Sequence, residues 1–205
     1  CASANSCNSI SIGCGAKADY YYSIAIGTSA GCNNTGNTQI AIGHCSGFSN
    51  KGVYQLSIGS NSGSNNKGVY QVSIGYNAGS SNMGNNQVAI GICAGYSNIG
   101  YDQIVLGLNS GYYNKCDNQI AIGRFAGSFN SGCTQIAIGN IAGYRNSGYY
   151  QITVGSYAGC CNSGFGQIAI GYGSGSYNKN GYQSAYGYYA GQYNRGASQI
   201  AIGYN

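Results

Sequence analysis

Side chains that could carry out acid–base chemistry are scarce in this chain. Its only acids are Asp19, Asp102 and Asp117, and it contains no glutamate. Enzymes that cleave polysaccharides depend on two clustered carboxylates. Asp102 and Asp117 come nearest to such a pair, but both lie in segments between strands, where a solvated turn residue is the expected role. The acids therefore do not predict a hydrolytic site.

The single histidine, His44, precedes Cys45, and a histidine beside a cysteine is a candidate nucleophile pair or pair of metal ligands. Successive residues of a strand point to opposite faces, and the sequence offers no third partner. We therefore expect no enzyme activity, no catalytic, cofactor-binding or metal-binding residues, and no cofactor.

Composition excludes further classes of protein. The net charge is +5, but the eight Lys and Arg residues occupy non-equivalent places and form no basic stripe, so we expect no nucleic-acid partner. No apolar run approaches the ~20 residues that span a bilayer, so no membrane span is expected. The chain has the character of a segment of a longer protein.

The dominant feature is a repeat of 16 residues, marked by a glutamine at every repeat from Gln39 to Gln199. Its consensus is Q-I-A-I-G-x-x-A-G-x-x-N-x-G-x-x, with glutamine as position one. So short a unit cannot bury a core alone and must stack on its neighbours. The period predicts an all-β fold, a parallel β-solenoid of about 12 coils. We expect a single domain over residues 1–205, with a 14-residue coil at 13–26 and 16-residue coils from residue 27.

Positions two to four alternate between large aliphatic and small residues, which is typical of a β-strand. We predict that positions two and four form the solenoid core, represented by Ile40, Ile42, Ile120, Ile122, Ile136, Ile138, Ile168 and Ile170. The small residues of position three would then point outward and form a self-association face, made of Ala25, Ala41, Ser57, Ser73, Ala89, Ala121, Ala137 and Ala169.

Other positions predict local structure. Glycine at positions five, nine and fourteen suggests corners with φ > 0. The asparagine of position twelve is expected to form a stacked ladder, with a row of ligand-binding groups as the alternative. Cys116 and Cys133 are the best candidates for a disulfide within the chain. Ser184 and Tyr186 replace aliphatic residues, which predicts a local bulge or a widened core.

Tyrosines concentrate at the variable positions, most densely in the C-terminal third. Tyrosine offers a large amphipathic contact area at little cost in rotamer entropy, which suits glycan or protein surfaces. We therefore predict a candidate binding surface at Tyr177, Tyr188, Tyr189 and Tyr193. The competing interpretation is that these rings shield the backbone or pack between fibres.

The N-terminal stretch N-S-I-S-I-G-C-G-A-K-A-D-Y-Y-Y-S-I-A-I-G resembles the head repeats of YadA-like trimeric autotransporter adhesins. Ser9 to Gly13 and Ser23 to Gly27 match the strand motif, and Ala16 and Ala18 match the small positions after it. Similar repeats occur in phage and giant-virus fibre proteins. The resemblance implies a left-handed β-roll, a homotrimer and an adhesive or fibrous role.

Together these observations predict a non-enzymatic structural or adhesive fibre or filament segment, at a cell surface or otherwise extracellular, or in a virion fibre. Its expected partner is itself, as a homotrimer or filament, with a host glycan or surface protein as a further candidate. The alternative is the receptor- or glycan-binding head of a viral or phage tail fibre.

Overall fold

The structure is a computed structural model that describes residues 1–204, and it contains thirteen short strands and no helix within that range. The strands are β1 (Ile10–Ile12), β2 (Ile24–Ile26), β3 (Gln39–Ile42), β4 (Gln55–Ile58), β5 (Gln71–Ile74), β6 (Gln87–Ile90), β7 (Gln103–Leu106), β8 (Gln119–Ile122), β9 (Gln135–Ile138), β10 (Gln151–Val154), β11 (Ile168–Ile170), β12 (Ser184–Tyr186) and β13 (Ile200–Ile202).

The strands form one parallel sheet in chain order, so the predicted parallel β-solenoid is confirmed. Equivalent residues pair: Ile10 lies opposite Ile24, and from β2 onward each partner is the residue one 16-residue repeat away, as for Ile24 and Ile40. The left hand of the solenoid and the single domain remain predictions. The chain divides into two compact units, Cys1–Asp102 (unit 1) and Gln103–Asn205 (unit 2).

The prediction of which strand face is buried was wrong. The small residues of position three point into the coil: Ala41, Ala121 and Ala137 are at most 2% exposed. The aliphatic side chains on either side of them are half-buried or exposed, in the pattern seen at β8 and β9. The other small residues predicted to face outward are also buried inside the coil; these are Ala25, Ser57, Ser73, Ala89 and Ala169. The residues predicted to form the core all lie on the outer face; these are Ile40, Ile42, Ile120, Ile122, Ile136, Ile138, Ile168 and Ile170.

The reason for the inversion is the narrow interior of the coil. Opposite position three runs the glycine of position nine, and a Cβ built on Gly47 would lie only 3.0 Å from the Ala41 Cβ. Two chain segments this close leave room for a methyl or hydroxymethyl group but not for a row of isoleucines. Val105 and Thr153 are the largest residues that occupy this inner column.

Two columns of buried amides fill the rest of the interior, so the predicted asparagine ladder is confirmed. Each asparagine Oδ1 accepts the backbone N–H of the asparagine in the next coil, as Asn50 Oδ1 does from Asn66 at 2.9 Å. From Gln39 to Gln183, each glutamine Nε2 donates to the backbone carbonyl thirteen residues further along the chain, as Gln39 does to Gly52 at 2.7 Å. Asn114 and Asn130 also donate through Nδ2 to Oε1 of Gln119 and Gln135, which joins the two columns.

The corners are built from left-handed residues. Glycine at positions five and nine has φ > 0, as predicted, with 131° at Gly43 and 58° at Gly47. Positions seven, eleven and sixteen are also left-handed although most carry side chains, for example Cys45, Ser49 and Tyr54. Parallel stacking holds them in place, because their N–H groups donate to the preceding coil, as Ser49 does to Cys32 O at 2.8 Å.

Position fourteen is glycine for a different reason from the one predicted. No positive φ occurs at Gly52 or Gly68, but a Cβ on Gly52 would overlap the carbonyl oxygen of Gly68 in the next coil. Close approach of the coils therefore disfavours a side chain there, and only Cys116 and Asn180 carry one. Cys116 occupies this position in unit 2, and its side chain forms the predicted disulfide with Cys133 of the following coil.

The bulge predicted at Ser184 and Tyr186 was also wrong. Strand β12 pairs in register on both sides, with Ser184 opposite Ile168 and Tyr186 opposite Ile170. Positions two and four lie on the outer face, where a serine or a tyrosine fits without widening the coil, while Ala185 keeps the inner place.

Candidate interaction surfaces

An outward aliphatic stripe runs along the strands of each unit. It consists of the position-two and position-four side chains, and in unit 2 Ile104, Ile122, Ile138, Ile152 and Ile170 are each about 40% exposed. No strand residue is charged in either unit. Seven strands of three or four residues at ~4.8 Å spacing give unit 2 an outer strand face of about 400 Å². An apolar patch of a few hundred Å² is often functional.

A second kind of surface lies at the corner formed by positions seven, ten and eleven. Where position ten is small, a dent opens between the columns of the other two positions. In unit 1 the dent has Ser64 and Ser80 at its floor, with Phe48 and Tyr96 at its ends, and it measures about 250 Å³. Its remaining lining is mainly asparagine, including Asn61 and Asn77.

In unit 2 the same corner forms a tyrosine-lined cleft of about 230 Å³, which we call the tyrosine cleft. One wall is the pair Tyr177 and Tyr193, whose rings stack at 4.8 Å and 8°. The other wall contains Tyr157, Tyr172 and Tyr189. The rings of Tyr172 and Tyr189 meet edge to face at 5.4 Å.

Gly173 allows this second wall to close. A Cβ at Gly173 would collide with the ring of Tyr189, so only glycine lets that ring lie across the coil below. A hydrogen bond with Tyr172 is the main cause that raises the pKa of Tyr189. The phenols of this wall thus support one another through ring contacts and hydrogen bonds.

The floor of the tyrosine cleft is small and uncharged. Ser176 Oγ donates to the carbonyl of Tyr157 at 2.6 Å and lies 3.3 Å from the backbone N–H of Cys160, which satisfies the floor internally. Burial, then the hydrogen bond and charge of Cys161, raise the pKa of Cys160 to about 12. The thiol is therefore neutral at physiological pH. Its Sγ lies 3.2 Å from that of Cys161, so these two neighbours contact each other rather than separate partners.

The predicted tyrosines divide between lining and support. Tyr177, Tyr189 and Tyr193 line the cleft, whereas Tyr188 stacks between Tyr172 and Tyr204, at 5.2 and 4.9 Å. Sequence reasoning missed the lining residues Tyr157, Tyr172 and Gln192. Their repeat positions, seven, six and ten, were the available signal, because the columns of one corner share those positions in every coil.

The groups considered for catalysis do not assemble into a larger cluster. His44 Nε2 lies 3.7 Å from Cys45 Sγ at a corner, where the opposite-face rule for strands does not hold. Asp102 accepts a hydrogen bond from Asn86 Nδ2 at 2.8 Å. Among residues 1–204, no three His, Cys, Asp or Glu side chains lie together as a metal site would require.

Comparison with protein-family models, with curated proteins and with solved structures finds no match to this chain. None of the elements in the described range is a helix with the length and hydropathy needed to cross a membrane. Any function for this chain must therefore be argued from its own surfaces.

Proposed function

We propose that this chain is a segment of a non-enzymatic, self-associating fibre or filament with a structural or adhesive role outside the cell, at a cell surface or in a virion. The observation that carries the proposal is the outward aliphatic stripe. The interface is thus the aliphatic face rather than the small-residue face expected from the sequence, because the small residues fill the coil interior.

The stripe favours a second copy of the chain as its occupant. Its side chains recur at one strand spacing, ~4.8 Å, along each unit, and another copy presents the same period. The uncharged aliphatic columns of two copies can therefore pack along their whole length, whereas a globular partner would contact the side chains of only a few strands. The face of unit 2 alone is about half of the ~800 Å² that each partner contributes to a standard stable interface.

A closed homotrimer is the form that we propose. Association around an axis hides one stripe per chain, and closure leaves no apolar face to recruit further copies. Each isoleucine that passes from exposed to buried stabilises the assembly by about 1–2 kcal/mol. The thin interior of the coil, mostly alanine and amide, makes such an external source of burial important.

Light scattering of the purified chain tests this proposal. The wild type is expected at a multiple of the 21.1 kDa chain mass, and the variant Ile138→Ser/Ile170→Ser at a lower multiple or as a monomer. The control is Ile92→Ser/Ile99→Ser, since these isoleucines are somewhat more exposed, at 53% and 48%, but lie off the strands. A monomeric wild type with full β-structure, or equal effects of both variants, would refute the proposal.

A second candidate function is the receptor- or glycan-binding head of a viral or phage tail fibre. The tyrosine cleft of unit 2 is the observation that favours it, since it is a preformed concave site on an otherwise repetitive surface. Both candidates share the same self-associating solenoid and differ in what this corner contacts.

A further inference from the structure

We infer that the tyrosine cleft of unit 2 binds an uncharged glycan, with one sugar ring stacked on the wall of Tyr177 and Tyr193 and its hydroxyls on Tyr189 and Gln192. This inference deepens the adhesive part of the proposed function and depends on that proposal only for its biological setting. All residues that line the cleft belong to unit 2.

Rigid aromatic faces are the first step of the argument. Tyr177 and Tyr193 both have left-handed backbone conformations, with φ of 61° and 56°. Their rings stack on each other and still stay 44% and 63% exposed, so aromatic surface is available to a ligand. Fixed rings lose little entropy on binding, which favours affinity.

The chemistry of the lining selects the ligand. The nine residues that line the cleft include no Lys, Arg, His, Asp or Glu, although the charge of Arg145 acts on Cys160 at the floor and opposes the rise of its pKa. The phenols and the Gln192 amide supply both donors and acceptors around the aromatic faces. A neutral sugar presents the matching surface, because its ring has an apolar C–H face and an edge of hydroxyls that both donate and accept. Sulfated, phosphorylated or sialylated groups would find no cation among these residues.

A proline-rich peptide is the main competitor, since such peptides dock in aromatic-lined grooves. Proline offers only a carbonyl acceptor and no N–H donor. It would leave the acceptor capacity of the phenols and of Gln192 unused. The two-way hydrogen-bonding character of the rim therefore favours the sugar.

Unit 1 supplies an internal comparison. Its dent at the same corner has a similar volume but is lined mainly by serine and asparagine, so it lacks opposed aromatic walls. Unit 1 also contains a stacked tyrosine pair, Tyr54 and Tyr70, at 5.0 Å and 2°, outside that dent. Unit 1 thus contains a stacked tyrosine pair that lines no cleft, and also a cleft whose walls are not tyrosine.

The test is to screen the whole chain on an array of neutral and sialylated oligosaccharides, together with a proline-rich peptide, and to titrate the best ligand by calorimetry. We expect a neutral oligosaccharide to bind. The variant Tyr177→Ala/Tyr193→Ala should weaken that binding at least about tenfold, which corresponds to about 1.4 kcal/mol, because it removes the aromatic wall on which the sugar stacks. The control Tyr54→Ala/Tyr70→Ala should bind as the wild type does.

Several results would overturn the inference: no neutral oligosaccharide bound, binding of sialylated glycans alone, tyrosine-dependent binding of the peptide instead, or equal losses in both variants. Far-UV circular dichroism of each variant verifies that the coils remain folded. Light scattering of the same samples separates the two proposals, because a monomer that binds glycan refutes only self-association, and an assembly that binds none refutes only the glycan site.

Discussion

The amide columns inside the coil make a sharp prediction for Asn130→Ala. Asn130 is 1% exposed, and its Oδ1 accepts the backbone N–H of Asn146 at 2.8 Å. Its Nδ2 donates to Gln135 Oε1. Truncation to alanine leaves a buried N–H and a buried carbonyl oxygen without these partners. Each unsatisfied buried group costs about 1–3 kcal/mol, so the variant should lose about 2–6 kcal/mol of unfolding free energy.

The loss is large on the scale of a whole domain, whose stability is typically about 5–15 kcal/mol. Urea titration followed by circular dichroism measures it, and hydrogen exchange at the Asn146 amide locates it. The matched control is Asn37→Ala, an exposed asparagine in unit 1, which should change stability by no more than about 0.5 kcal/mol. If Asn130→Ala matched that control, the amide columns would not stabilise the coil and this reasoning would fail.

Three further predictions concern single side chains. Ile141 is a β-branched residue with φ of 59°, a conformation that asparagine tolerates better. Ile141→Asn should therefore raise the unfolding free energy measured by urea titration by about 1 kcal/mol, and a lower unfolding free energy would contradict this. The Cys116–Cys133 disulfide closes a loop of 17 residues, so Cys133→Ser should lower the unfolding free energy by about 3 kcal/mol through the entropy of loop closure. If a reductant left the urea midpoint of the wild type unchanged, this prediction would be contradicted. Because the pKa of Cys160 is raised from 9.0 to about 12, its reactive thiolate is scarce at pH 8, and alkylation should be about a thousandfold slower than for an unperturbed thiol. Peptide mass spectrometry that found Cys160 labelled as fast as the exposed Cys14 would contradict this.

The same shift gives a pH dependence. Between pH 9 and about 12 the unfolded Cys160 thiol has lost its proton while the folded one keeps it. The folded state therefore binds more protons, and stability must fall as pH rises through that window. Cys160→Ser removes the group with the largest such shift and should make stability fall less steeply in this window; the raised pKa values of Tyr177 and Tyr189 act in the same direction and remain.

The architecture was predictable because the 16-residue period of the glutamine column fixes the register of every strand. The direction of the strand faces was predicted wrongly, because alternation separates two faces without saying which one is inside. Hydrophobicity alone placed Ile136 and Ile138 in the core. Gln135 shares its face with Ala137, however, so an inward glutamine requires outward isoleucines, and this parity contained the correct answer.

The tyrosine cleft was only partly predictable from the sequence. The density of tyrosine pointed to the C-terminal third, and three of the four predicted rings do line the site. Tyr172 forms its wall by contacting the ring of Tyr189, and that ring can lie there only because its neighbour Gly173 has no side chain. Such a relation joins residues of adjacent coils and becomes visible only when the corner columns are stacked in space.

Cryo-electron microscopy of the assembled wild-type chain tests the central claim most directly. We expect stacked parallel coils with the alanine column of Ala121 and Ala137 inside each coil, and the column of Ile122 and Ile138 buried between copies. A map with the isoleucines inside single coils, or with the isoleucine columns facing solvent in every copy, would contradict it.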